Sequence, residues 1–204
     1  DNTTAASNVA VGFASLQNNT TGGSQVAIGC NALGANTTGY HNTSLGYNAL
    51  GNLQTGYNNI AIGHNSGTDA MANFSSSETN KIALGNTSSD TAYIKIDWTV
   101  TSDLRDKTNI EEVPHGLDFV NQLNPIKYNF KKSREDATPH GKARYGFKAQ
   151  EILALEGENN VLVNNENEDS LKLTSAYLLP VLVNAIKELK AENDSLKTRI
   201  EALE

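Results

Sequence analysis

The chain has 204 residues and a formal net charge of −7, from 16 Lys and Arg against 23 Asp and Glu. So few positive charges argue against a nucleic-acid-binding surface, which needs clustered Lys and Arg. No apolar run approaches the roughly 20 residues of a membrane-spanning helix. The single cysteine, Cys30, excludes an intrachain disulfide and a cysteine-based zinc site. The chain begins at Asp1, so we expect it to be part of a longer polypeptide, and we expect no metal or cofactor.

Charge is distributed unevenly along the chain. Residues 1–80 contain no Lys or Arg and three acidic residues, whereas residues 102–204 carry 18 of the 23 acidic and 14 of the 16 basic residues. We therefore predict a repeat domain over 1–90, a connecting strand over 91–101 and a second domain over 102–204.

A period of 17 residues runs through the first domain. The segments NVAVG, QVAIG, NTSLG and NIAIG recur at this spacing, KIALG follows after a 22-residue step, and the first four segments end at Gly12, Gly29, Gly46 and Gly63. Alternating apolar and small residues predict one short strand per unit, followed by turns at Gly and Asn. One unit cannot bury a core alone, so units must stack within or between chains. We predict a mainly β half, a β-roll or β-solenoid shaft, with several chains sharing one core.

Recurring side chains raise other functions for the repeat. Threonine occupies the same position in successive units and so forms a column, which contains Thr4, Thr21, Thr38 and Thr55. Such a column could bind ice, although threonine is also an ordinary strand and turn residue. Calcium loops need carboxylates, and residues 2–68 contain none. His41 and His64 stand in different columns without acidic or cysteine neighbours, which argues against a metal site. Aromatic side chains could bind a glycan or receptor, and strand packing explains them equally well; these are Tyr40, Tyr47 and Tyr57.

The repeated sequence pattern N-x-A-[IV]-G-x-N-A-L, over about residues 5–85, resembles the head repeats of trimeric autotransporter adhesins and the shaft repeats of phage tail fibres. This resemblance implies a trimeric, fibrous module presented at a surface. It leaves the receptor or glycan unidentified.

The second half has the pattern of an α+β domain. Alternation predicts a strand over 91–100. Next we predict a helix over about 114–123, strands over 125–130 and 144–148, a helix over 149–155, and two short strands around an acidic turn. Thr174 or Ser175 can cap a long final helix.

The final helix carries a heptad seam. Apolar residues and Asn193 step by three and four residues, at Leu179, Leu182, Ile186, Leu189, Asn193, Leu196, Ile200 and Leu203. We predict a left-handed interchain coiled coil within 175–204, in which Asn193 fixes the register. Packing of the helix on its own domain is the alternative, and it suits 174–188. Ile and Leu alternate along the seam in a way that leaves dimer and trimer open.

The segment SDLRDKTNI, residues 102–110, resembles the S-D-x-R-x-K-x-N-I signature of the auto-processing intramolecular chaperone domain. That domain ends phage tailspikes, endosialidases and tail fibres. Further matches are LNPIKYNF, GFKAQE and LLPVLVNAIKELK, in the expected order. The resemblance implies a domain that trimerises, aligns the preceding fibre and then removes itself through a Ser-Lys dyad, which maps by position onto Ser102 and Lys107.

The residue types suit this chemistry. A serine hydroxyl needs an adjacent base, and a lysine serves as that base only as a neutral amine. A tight turn could bring Lys107 to Ser102, with Asp103, Arg105 and Asn109 in support. Ser102 could instead be the N-cap of a helix that starts at Asp103. A triad with His115 or His140 has no supporting motif, and we interpret both as loop histidines.

We expect cleavage between Thr101 and Ser102, because the hydroxyl reaches the preceding carbonyl through a five-membered ring. Cleavage between Ser102 and Asp103 stays possible if a neighbouring chain supplies the nucleophile. The chain is then the end of a homotrimeric tail fibre or tailspike of a virion, which would bind a host receptor or glycan.

Two alternatives remain. The first is a trimeric adhesin on a cell surface, whose C-terminal domain is an uncleaved trimerisation module. The second is a membrane-tethered regulator that releases its N-terminal part, against which the missing basic region counts. We expect no membrane insertion of this chain.

Overall fold

The structure of the chain, a computed structural model, describes residues 4–69, 72–157 and 160–203. It divides into two compact units, Asp1–Tyr93 and Ile94–Glu204. We call them the repeat unit and the C-terminal unit.

The repeat unit is a β-solenoid, which confirms the fold predicted from the 17-residue period. Five strands of three residues form one parallel sheet in sequential order. Successive strands pair at a shift of 17 residues, as Val9 with Val26, and the last pair at a shift of 22, as Ile60 with Ile82. The strands are β1 Val9–Val11, β2 Val26–Ile28, β3 Thr43–Leu45, β4 Ile60–Ile62 and β5 Ile82–Leu84.

The interior of the solenoid is narrow. The middle residue of β2, β3, β4 and β5 points inward and is buried, whereas most of the large aliphatic residues on either side of it are exposed. The core is therefore built mostly of alanine: Ala27, Ala32, Leu33, Ala49, Leu50, Leu53, Ala61 and Ala83. A single chain encloses this small core, so a core shared between chains would form on the outer face of the sheet.

An asparagine column holds successive coils together. The Asn31 amide donates to Oδ1 of Asn48 at 2.6 Å, and the Asn48 amide donates to Oδ1 of Asn65 at 3.0 Å. All three residues have left-handed backbone, with φ of 57°, 52° and 53°. At the neighbouring corner Gly29 has φ of 134°, and a Cβ there would lie 2.3 Å from the carbonyl oxygen of Gly46. The repeating Asn and Gly therefore meet both a backbone and a packing requirement.

The C-terminal unit is a small α+β domain, and the predicted fold class is confirmed. The strands β6 and β7 form an antiparallel hairpin, and β8 and β9 form a second, shorter one. A core of Phe119, Ile152, Leu162, Val163, Leu178 and Val181 joins the shorter hairpin to the helices. The elements are a 3₁₀-helix Leu104–Asp106, α1 Leu117–Asn121, β6 Ile126–Lys131, β7 Pro139–Gly146, α2 Ala149–Glu156, β8 Val163–Asn164, β9 Lys172–Leu173, a second 3₁₀-helix Ser175–Tyr177 and α3 Leu178–Glu201.

The strand predicted over 91–100 is wrong for the single chain, since these residues form no strand. Their alternation fits a strand, but a strand also needs a neighbouring backbone to pair with. Pairing also explains β7, which begins at Pro139 rather than at 144 because Pro139 pairs with Lys131 at the end of β6.

The helix predicted over 114–123 begins later, at Leu117. The carbonyl groups of Val113 and His115 accept hydrogen bonds from the Asn184 side chain. Proline at 114 therefore lies before the helix rather than in its first turn. At the start of the final helix, Thr174 makes no side-chain capping bond, and Ser175 begins the 3₁₀ turn that leads into α3.

The long helix α3 has two different faces. Its first turns bury Leu178, Val181 and Ala185 against the domain. The seven apolar residues of the heptad seam are all exposed in the single chain. Among the described residues, no helix is long and apolar enough to cross a bilayer.

Candidate active site

A single tight turn carries the predicted site. Asp103 is the N-cap of the 3₁₀-helix Leu104–Asp106, and its carboxylate accepts the backbone N–H of Arg105 at 2.9 Å. The backbone N–H of Lys107 returns to the carbonyl of Leu104 at 3.2 Å and closes the turn. Residues 102 and 107 therefore leave the turn close together.

The turn brings the predicted nucleophile and base into contact. Nζ of Lys107 donates to Oγ of Ser102 at 2.8 Å. Lys107 is the side-chain partner of Ser102 within the described residues. The expectation that a tight turn would bring these side chains together agrees with this geometry.

Asp103 takes the capping position that the sequence also allowed for Ser102. The Ser102 hydroxyl is therefore left for Lys107. Arg105 folds back onto Asp103, with Nε 3.0 Å and 3.1 Å from its two carboxylate oxygens. This side-chain contact, with the backbone bond from Arg105, holds the pKa of Asp103 below its ordinary value, while the carboxylate raises the pKa of Arg105.

The contact between Ser102 and Lys107 has the wrong polarity for catalysis when the amine is charged. An ammonium can only donate to the hydroxyl, whereas a base must accept the hydroxyl proton. Both side chains are exposed in the single chain. Desolvation and neighbouring positive charges both favour a neutral amine, and the single chain leaves this pair open to water.

Asn109, the third residue expected to support the pair, has an unusual backbone conformation. It has φ of 51°, a left-handed conformation that asparagine tolerates better than most residues. The chain therefore bends two residues after Lys107. Thr101 is exposed, so the predicted scissile bond is accessible.

Two further residues anchor the chain that follows this turn, and both lie in the segment LLPVLVNAIKELK, which matched the family without assigning either residue a role. Asn184 of α3 binds the carbonyl groups of Val113 and His115, at 3.1 and 3.3 Å. Glu188, one helical turn later, accepts the backbone N–H of Leu117 at 2.6 Å and so caps α1. These contacts span about 70 positions in the sequence, which is why reading along the chain missed them.

The histidines lie in packing contacts. His115 stacks on Phe119 with ring centroids 4.2 Å apart. His140 lies in β7, opposite Phe130, so its interpretation as a loop histidine is wrong. His64 stacks on Tyr47, and His41 contacts the edge of Tyr40. Among the described residues, no group of three or more His, Cys, Asp or Glu could hold a metal ion.

The predicted tyrosine patch is partly assembled. Tyr40 and Tyr57 stack with centroids 4.9 Å apart, and each is exposed, as is Tyr47. Ligand binding and coil packing both remain consistent with this arrangement.

Residues 102–162 match the family model described as "Chaperone of endosialidase". The match begins at Ser102, covers the turn with Lys107, and confirms the resemblance drawn from the sequence motifs. Neither a curated protein nor a solved structure matches the chain.

Proposed function

We propose that residues 102–204, a chaperone of the endosialidase type, assemble three copies of this chain and then cut themselves from residues 1–101, which include the repeat unit. The hydrogen bond between Lys107 and Ser102, inside the matched segment, is the observation that carries this proposal. The repeat unit is then the shaft of a homotrimeric tail fibre or tailspike, and the protein is a component of a virion tail.

The cut begins with proton transfer. Oγ of Ser102 gives its proton to the neutral amine of Lys107 and attacks the carbonyl carbon of Thr101. The bond from that carbon to the Ser102 nitrogen breaks, the nitrogen takes the proton from Lys107, and an ester joins Thr101 to Oγ. Water then hydrolyses the ester and leaves fragments 1–101 and 102–204.

Two apolar surfaces support self-association. One is the α3 seam, whose apolar side chains are exposed. The helix also extends well beyond Ala185, the last residue that it buries. The other is the outer face of the five-stranded sheet, with Val11, Ile62 and Leu84 among its exposed residues. Burial of such surfaces between copies is favourable by roughly 25 cal/mol for each Å².

Assembly also supplies what the dyad lacks. The exposed amine of Lys107 becomes neutral more readily if a neighbouring copy covers the turn and removes it from water. Cleavage then waits for the assembled state, and the chaperone is not lost early.

The test is the intact mass of the freshly expressed chain under denaturing conditions. We expect the wild type to give two fragments that meet at Thr101 and Ser102, and Ser102→Ala and Lys107→Ala to stay whole. The matched control is Lys127→Ala, which removes an exposed lysine from β6 and should cleave like the wild type.

A shift of the junction by one residue would move the cut to the bond between Ser102 and Asp103. A wild-type chain that trimerises and stays whole would refute the proteolysis. The second candidate function is a surface adhesin with a permanent, uncleaved trimerisation module. The exposed position of Lys107 favours it, because an exposed lysine is a poor base.

A further inference from the structure

A ten-residue segment that ends at Val100, one residue before Thr101 on the carbonyl side of the proposed cut, exposes a large apolar surface. We call residues 91–100 the junction segment. All ten are exposed, and Ile96, Trp98 and Val100 retain 78%, 77% and 81% of their accessible surface. A connecting segment that only spans two units has no need of such side chains, since polar residues serve that purpose without the cost of exposure.

The apolar residues of the junction segment occupy alternate positions. Ile94, Ile96, Trp98 and Val100 would lie on one side of an extended chain, and Tyr93, Lys95, Asp97 and Thr99 on the other. No hydrogen bond within the described part of the chain involves the backbone of these ten residues. The segment therefore has the pattern of a strand and lacks a partner.

The place of the cut decides which fragment needs this apolar side. Cleavage after Thr101 leaves the junction segment on the repeat fragment, at its new C-terminal end. Contacts with the released chaperone could not cover it after that step. The partner must then belong to the shaft itself.

We propose that the junction segments of the assembled copies pack against one another through their even-numbered side chains and close the end of the shaft. This inference rests on the proposed homotrimer and self-cleavage. Three-fold symmetry makes the three segments parallel. The three copies of Ile96 then lie at one height around the axis, and the three copies of Trp98 lie together at another height. Lys95 and Asp97 then lie on the outer side of the three segments, where both charges stay in water.

The chain contains a natural reporter for this packing, because Trp98 is its single tryptophan. The experiment uses the uncleaved full chain carrying Ser102→Ala and compares it with the same chain in denaturant. We expect the native emission to lie at shorter wavelength and acrylamide quenching to be several-fold weaker. Light scattering on the same sample gives the number of copies.

A trimer in which acrylamide quenches Trp98 as strongly as in the denatured chain would overturn this inference and leave the proposed assembly intact. A chain that stays monomeric would overturn both. The two failures are therefore separate readings of one sample.

A pair of variants tests the two sides of the segment in the cleaved protein. Ile96→Ser removes an apolar side chain from the proposed axis, and Tyr93→Ser removes a larger one from the opposite side. We expect the Ile96→Ser shaft fragment to dissociate at distinctly lower denaturant than the Tyr93→Ser fragment. Equal dissociation of the two fragments would contradict the proposed packing.

Discussion

At the scale of single residues, Asp103 shows how one carboxylate prepares the proposed dyad. It caps the short helix, binds Arg105 and so leaves the Ser102 hydroxyl to Lys107. Serine and aspartate are about equally good at an N-cap. Sequence preference therefore could not decide which of the two adjacent residues would cap, and the structure places the cap one residue later than the alternative expectation.

The low pKa of Asp103 gives the turn a pH dependence. Because the folded pKa lies below the ordinary value of 3.8, the capping contribution is complete above that value and is lost as the pH falls through the folded pKa. We expect the Arg105 amide resonance to titrate with a midpoint below 3.8 and to move up toward it in Arg105→Gln. Lys127→Gln should leave the midpoint unchanged. If Arg105→Gln also left it unchanged, the contact with Arg105 would not be the cause of the low pKa of Asp103.

The asparagine column is the corresponding residue-scale device of the repeat unit. Each member satisfies a left-handed backbone and also bonds the next coil through its amide. The repeat pattern N-x-A-[IV]-G-x-N-A-L contains this asparagine, but it could not show that the amides form a continuous ladder, since that depends on the direction in which each coil stacks.

Asn48 lies in the middle of that ladder, so Asn48→Ala removes two hydrogen bonds and places alanine in left-handed backbone. We expect the free energy of unfolding of the repeat unit to fall by about 2–4 kcal/mol. Denaturant unfolding measures the change, with the exposed Asn52→Ala as control. A loss equal to that of the control would show that the ladder contributes nothing to stability.

At the scale of elements, the periodic patterns predicted best. The 17-residue spacing gave the strands of the solenoid and their pairing because every coil repeats the same local environment. The junction segment shows the limit of this reasoning. Its alternation is as regular as that of the strands, but whether it pairs depends on a partner that the single chain does not provide.

The helix α3 takes part in both steps of the proposed mechanism, assembly of the copies and cleavage of the chain. Its exposed seam lies beside the stripe of buried residues on the helix surface, while Asn184 and Glu188 hold the chain that leads back to the dyad turn. Association of the seams would therefore act on the same helix that anchors residues 113–117.

This arrangement predicts that seam variants lose cleavage together with assembly. Leu196→Asp places a charge on the seam, and Ser195→Asp places the same charge one residue away on an outer position. We expect Leu196→Asp to stay monomeric and to cleave more slowly by about tenfold or more, equivalent to about 1.4 kcal/mol in the barrier. Ser195→Asp should assemble and cleave normally. A monomeric Leu196→Asp chain that cleaves at the wild-type rate would disprove the coupling.

At the scale of the whole molecule, the two units meet different folding problems. Near-identical coils can pair one coil out of register at little local cost, and pairing between chains is slow because the entropy of bringing distant segments together must be overcome first. A coiled coil that aligned the chains beforehand would lower the second cost, whereas the first is met within each chain, where consecutive coils pair in order. Once the shaft is closed, slow unfolding can preserve it without the chaperone.

The constant coil also sets how such a shaft can vary in length. Neighbouring strands in a sheet lie about 4.8 Å apart, so each 17-residue coil adds that rise to the repeat unit. Duplication of one coil presents the same Asn and Gly columns to its neighbours above and below, and neither end of the solenoid has to change. Length is thus counted in whole coils, and reach can be adjusted by copying a segment of the gene while the assembly and cleavage machinery stays as it is.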